Sequence, residues 1–105
     1  MRESVEELQT LDELRAFIHR KLCEKENLLA DQFHMSEMAL IKRGRKCGMQ
    51  FLLQGPRRVR LGAIWACDQN AVYLYDADGI RYQKVRLKTR LRIDNDDPAV
   101  DRPAA

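Results

Sequence analysis

From Gly48 onward the apolar residues come in strand-length segments, each cut off by a cluster of turn residues: Gly55-Pro56, then Asp68-Gln69-Asn70, then Asp76-Ala77-Asp78-Gly79. Connections this short join only antiparallel neighbours, so residues 48–92 read as an antiparallel meander. The last two clusters suit three-residue hairpin loops, with Asn70 and Gly79 taking the left-handed position of a bulged turn. Counting outward from those loops sets Trp65 opposite Tyr73, Ile64 opposite Leu74, and Leu74 opposite Tyr82.

A helix precedes the meander. Two capping patterns, Ser4-x-x-Glu7 and Thr10-x-x-Glu13, open the chain, and the second runs straight into apolar residues at helical spacing. Leu11, Leu14, Ile18, Leu22, Leu29 and Phe33 form one stripe, which predicts an amphipathic helix of roughly 20 residues starting near Leu11, with Asn27 as a candidate break. Residues 35–42 suit helix or strand, and the turn material at Arg43-Gly44-Arg45-Lys46 favours strand. The expected fold is α+β: one N-terminal helix on a four- to five-stranded antiparallel meander, flat or rolled toward an open barrel. At 105 residues there is room for one domain, residues 1–92, followed by an acidic tail, residues 93–105, with too little apolar material to order.

Strand side chains alternate between faces, so parity assigns each one. Apolar parity switches between Leu61 and Ile64, which predicts a bulge at Gly62, and again near Gln83-Lys84. With both shifts, the core face collects Val59, Leu61, Ile64, Ala66, Val72, Leu74, Ile80, Tyr82, Val85 and Leu87. The other face collects Arg58, Arg60, Trp65, Tyr73, Tyr75, Arg81, Arg86 and Lys88.

Charge sharpens this picture. Residues 1–41 carry 5 basic and 9 acidic side chains, residues 42–92 carry 13 and 3, and residues 93–105 carry 1 and 4, so a net charge of +3 conceals a strongly basic middle. A basic surface interleaved with aromatics has the ingredients of a polyanion site: rings stack bases and guanidinium groups grip phosphate. The candidate contacts are Arg58, Arg60, Arg81, Arg86 and Lys88 for phosphate, with Trp65 and Tyr73 as stackers. Arg86, Lys88, Arg90 and Arg92 also alternate as if along one strand. Trp65 and Tyr73 equally suit a cross-strand packing pair, or an interior position in a curled sheet.

Single-stranded RNA or DNA is therefore the favoured ligand. The alternative is an acidic protein partner or a homodimer, in which the acidic helix of one copy meets the basic sheet of another. In either case the acidic tail, with Asp94, Asp96, Asp97 and Asp101, is placed to compete for the basic face as a phosphate mimic.

Catalysis has little to stand on. The chain has no GxSxG, HExxH, GxGxxG or Walker-type phosphate loop. The three cysteines, at 23, 47 and 67, form no CxxC pair and read as reduced structural thiols. His19 and Cys23, one helical turn apart, would need Cys47 and Cys67 from distant elements to complete a metal site, so neither metal nor cofactor is expected. Without a signal-type N-terminus or membrane-length apolar run, the chain reads as cytoplasmic and not membrane-bound.

The stretch Cys47-Gly48-Met49-Gln50-Phe51-Leu52-Leu53-Gln54-Gly55-Pro56-Arg57, with Ala63-Ile64-Trp65, Tyr75-Asp76 and Gly79-Ile80-Arg81-Tyr82, resembles a group of short, uncharacterised bacterial proteins over residues 43–87. The resemblance implies a bacterial cytoplasmic origin and brings no activity with it.

Overall fold

The computed structural model describes residues 2–29 and 32–91. The chain runs β1 (Arg2–Glu6), α1 (Leu11–Lys25), β2 (Met35–Lys42), β3 (Arg45–Gln54), a 3-10 turn at Pro56–Arg58, β4 (Arg60–Ala66), β5 (Ala71–Tyr75) and β6 (Arg81–Leu87). All six strands form one open sheet in the order β1-β6-β5-β4-β3-β2. Strands β2 to β6 are the expected antiparallel meander, and β1 joins it in parallel beside β6. The N-terminal Ser4-x-x-Glu7 pattern thus belongs to a strand rather than a helix start. The expected tail, residues 93–105, lies outside the described residues.

Helix α1 starts where its cap dictates. Thr10 Oγ1 accepts from the Glu13 N–H at 3.1 Å, and the Glu13 carboxylate reaches back to the Gln9 N–H at 3.0 Å. It has 15 residues, not 20, because Asn27 adopts φ 56 just past the Glu26 cap. Leu14, Ile18 and Leu22 are fully buried and Phe33 is half-buried against the core, whereas Leu29, beyond the break, is exposed.

The helix covers one face of the sheet. There Leu14, Phe17, Ile18, Leu22 and Cys23 pack on Met49, Phe51, Leu53, Leu61, Ala63, Trp65, Val72, Leu74, Val85 and Leu87. Each large side chain so buried stabilises the fold by about 1.5–3 kcal/mol. Strands β3 and β4 approach closely at Gly48, where a Cβ would lie 2.1 Å from the carbonyl oxygen of Trp65. The β2–β3 hairpin turns on Arg43 and Gly44, both left-handed (φ 54 and 77), as a two-residue hairpin requires.

Register is where expectation and structure part. Ala66 pairs with Ala71, so Cys67 belongs to the β4–β5 loop, which has four residues and is closed by the Asn70 N–H donating to the Cys67 carbonyl. Trp65 therefore lies opposite Val72, and Ile64 opposite Tyr73. A one-residue slip exchanges faces. Trp65 is fully buried, and Ile64 lies on the other side of β4. No bulge occurs at Gly62, because the pairing with β3 runs unbroken past it.

The β5–β6 loop is the expected three-residue one, with the Asp76 N–H donating to the Ile80 carbonyl. Beyond it Tyr75 pairs with Arg81 but Leu74 with Gln83, leaving Tyr82 as an extra residue. The irregularity expected near Gln83-Lys84 is thus at Tyr82, which turns to the helix side, its ring 4.5 Å from Lys25 Nζ. Ile80, assigned to the core from parity, is 60% exposed.

Candidate nucleic-acid interface

The face not covered by α1 can be built from register alone. Residues paired across neighbouring strands share a face, so three cross-strand rows follow. One runs Leu40, Gly48, Ala66, Ala71, Arg86, Val5; the next Met38, Gln50, Ile64, Tyr73, Lys84, Glu3; the third Ser36, Leu52, Gly62, Tyr75, Arg81. Small residues dominate the first row and glycine interrupts the third. Between them stands the bulky row centred on Tyr73.

Tyr73, Tyr75, Arg81 and Lys84 form a continuous aromatic and cationic cluster. The Arg81 guanidinium lies 4.1 Å from the centroid of Tyr73 and 5.4 Å from that of Tyr75, and Lys84 Nζ lies 5.6 Å from Tyr73. Arg81 Nη2 also donates to the Tyr75 hydroxyl at 2.7 Å, which fixes the guanidinium plane against both rings. The Tyr73 hydroxyl donates to Gln69 Oε1. These contacts hold the cluster rigid, so little side-chain freedom remains to be lost when a ligand docks.

Hollows flank the cluster. The first, about 500 Å³, opens over Gly62, with Leu52, Ile64 and Tyr75 as walls and Gln50 and Arg60 at the rim. Asp76 also borders it, but its carboxylate already accepts from the Asp78 and Ile80 N–H groups. The second, about 430 Å³, opens over Ala71 between Lys84 and Arg86, beside Gln69. Ala66, the neighbour of Ala71, lies four residue steps along β4 from Gly62, so the hollows lie roughly 13 Å apart.

Of the expected site residues, Arg60, Tyr73, Arg81 and Arg86 are together on this face. Arg86 is already engaged, with Nε 2.7 Å from Glu3 Oε2. Arg58 is exposed but sits in the 3-10 turn at φ 78, off the sheet. Lys88 is exposed beyond the end of β6, its N–H donating to the Glu6 carbonyl. Trp65 is not a stacker: it lies in the core on the opposite side, its Nε1 donating to Asn70 Oδ1 at 3.3 Å. Of the alternating ladder Arg86, Lys88, Arg90 and Arg92, only Arg86 is within β6, which ends at Leu87; Arg90 turns back to donate to the Cys67 carbonyl at 2.9 Å, and Arg92 lies outside the described residues. Ile64 was missed through the one-residue slip of β4 on β5, Lys84 because the irregularity of β6 falls at Tyr82 rather than at Gln83-Lys84, the hollow at Gly62 because that residue was read as a bulge, and Gln50 because β3 was assigned no face.

A third hollow, about 560 Å³, lies between α1 and the start of β2, lined by Arg15, His19, Phe33, His34, Met35 and Glu37 among others. Its guanidinium is committed: Arg15 bonds both Glu37 carboxylate oxygens, at 2.7 and 3.0 Å, and Asp12 at 2.8 Å. His19 Nε2 is tied to the Phe33 carbonyl. Burial pushes the Cys23 thiol pKa up. It does the same to Cys67, with Asp68 adding and Arg90 opposing, so thiolate chemistry is disfavoured at both. Among the described residues no three His, Cys, Asp or Glu side chains are grouped to hold a metal ion, and no helix is long and apolar enough to cross a membrane.

Fold and surface together define a class: an α+β protein with one helix, an open mixed sheet and a basic aromatic face. No family model, curated protein or solved structure matches the chain.

Proposed function

We propose that the chain is a non-enzymatic binding module for polyanions, with single-stranded nucleic acid as the favoured ligand, docked on the face of β3 to β6 away from α1. One observation carries this reading: Tyr73, Tyr75, Arg81 and Lys84 are contiguous on an uncovered face and flanked by an apolar hollow at Gly62 and a cationic one at Ala71. A base fits against Tyr75, Leu52 and Ile64, with Gln50 offering both donor and acceptor to its edge. Phosphates meet Arg60, Arg81 and Lys84. Duplex fits less well, because its bases present no open ring face to Tyr75.

The competing arrangement, an acidic helix on a basic sheet, loses its premise. Helix α1 carries three acidic and four basic side chains, so the acidic excess of the N-terminal block lies outside it.

The test is fluorescence anisotropy of labelled oligo(dT), oligo(U) and duplex at two salt concentrations. Three phosphate contacts, from Arg60, Arg81 and Lys84, predict single-strand affinity falling about twenty-fold between 50 and 200 mM salt. Tyr75→Ala should lose about 1–3 kcal/mol of binding. Absence of binding by folded protein at the lower salt, or binding indifferent to Tyr75→Ala and Arg81→Gln, overturns the reading. Trp65 serves here as a folding probe, since it is buried away from the site.

A further inference from the structure

The two edges of the sheet are unlike. Edge β1 is five residues long and carries Arg2, Glu3 and Glu6, the kind of charge that keeps an edge from pairing. Edge β2 is eight residues long, with the uncharged run Met38-Ala39-Leu40-Ile41 at its centre; Met38 is 62% and Ile41 53% exposed. Its register break against β3, where Leu40 pairs with Gly48 and Ile41 with Lys46, leaves the extra residue, Cys47, on β3. Strand β2 itself is therefore regular, with no bulge, proline or glycine to blunt it.

We infer that β2 is a dimerisation edge, on which a second copy of this chain adds its own β2 antiparallel about a two-fold axis through Ala39. Three features favour a second copy over another strand. Centring on Ala39 sets Met38 opposite the partner's Leu40, and symmetry repeats that apolar pair on the outer face. The face toward α1 receives Ala39 against Ala39, which needs no space. The basic turns at Arg43 to Arg45 then lie at opposite ends of the joined edge, whereas parallel pairing would set them side by side. Shifting the axis to Leu40 would place Met38 against Lys42, and shifting it to Met38 would place Leu40 against Ser36. The axis through Ala39 sets Ile41 against Glu37, whose carboxylate is held by Arg15, and Lys42 against Ser36, but of the three it alone pairs Met38 with Leu40 on the outer face, and it gives the self-complementary patch of a two-fold interface. This inference rests on the edge and stands apart from the nucleic-acid reading.

The test is sedimentation equilibrium of the full chain without nucleic acid, from low micromolar to submillimolar concentration. Wild type should show a monomer–dimer equilibrium. Met38→Lys, a change at an exposed position, should stay monomeric while keeping the wild-type circular dichroism and Trp65 emission. Under mild oxidation Ala39→Cys should give a covalent dimer that wild type, with its own three cysteines, does not, because facing residues of an antiparallel pair have the Cα separation a disulfide needs. A monomeric wild type, a Met38→Lys dimer as tight as wild type, or a dimerising Ala39→Cys that fails to cross-link would each overturn the proposal.

Discussion

Tyr82, like Cys47 on β3, is an extra residue at which the regular pairing of neighbouring strands breaks. As the extra residue opposite the Leu74–Tyr75 step it packs under Lys25, and its hydroxyl is buried with no hydrogen-bond partner among the described residues. Burial first, then Asp76, Glu24 and Glu26, pushes its pKa from 10.0 up to about 12. The fold thus holds the neutral phenol, whereas the unfolded chain releases its proton near the ordinary value. The stability this contributes is fully present below pH 10 and is lost as pH rises through about 12. Tyr82→Phe should remove that part of the alkaline decline. Near neutral pH it should match wild type or exceed it by about 1 kcal/mol, since the hydroxyl it removes is unsatisfied. Urea unfolding of both proteins across pH 8 to 12 reads the difference; parallel curves would show that the phenol ionises as easily folded as unfolded.

At the scale of elements, Asn70 decides how the β4–β5 turn meets the end of β6. It sits left-handed at φ 50, donates from its amide to the Leu87 and Thr89 carbonyls at 3.3 and 2.8 Å, and accepts from Trp65 Nε1. Its own carbonyl accepts from the Leu87 N–H. Asn70→Gly keeps the backbone and loses the amide, and should cost about 2–3 kcal/mol because Trp65 is left with a buried unpaired donor. Asn70→Ala should cost about 1 kcal/mol more, the left-handed strain being added. Denaturant melts that place both variants within error of wild type would show the amide to be idle.

The same turn explains what was legible in the sequence. The helix start with its cap, a meander of four to five antiparallel strands and the rough places of its turns could be read, because Thr10, Gly44, Asn70 and Gly79 announce local backbone chemistry. Whether Cys67 belongs to strand or loop is settled by hydrogen bonds to Cys47 and Asn70, residues 20 and 3 positions away, which no local pattern carries. That single residue moved Trp65 into the core and Ile64 out of it. Strand β1 was hidden for a related reason: Arg-Glu-Ser-Val-Glu has no apolar face, and its partners lie on distant β6, where the Gln83 amide reaches Ser4 Oγ at 2.9 Å.

For the whole molecule, the sorting of charge along the chain acquires a spatial meaning. Arg60, Arg81 and Lys84 concentrate cations on one face, and two acids beside them are already engaged, Glu3 by Arg86 and Asp76 by the N–H groups of its own turn. Residues 94–105 carry four aspartates and one arginine, so removing them raises the net charge from +3 to +6. A tethered acidic segment competes with nucleic acid at an effective concentration set by its linker, in the millimolar range when the linker is short and flexible. Ending the chain at residue 93 should therefore tighten single-strand binding several-fold at low salt. The gain should shrink as salt shortens the Debye length to about 8 Å at physiological strength. Adding Arg81→Gln and Lys84→Gln to the shortened chain should abolish the gain, because the tail and the nucleic acid compete for the same cations. Equal affinity of the full and shortened chains for oligo(dT) at low salt would remove the tail as a competitor. A gain surviving both substitutions would place the competition on the basic turn at Arg43 to Arg45.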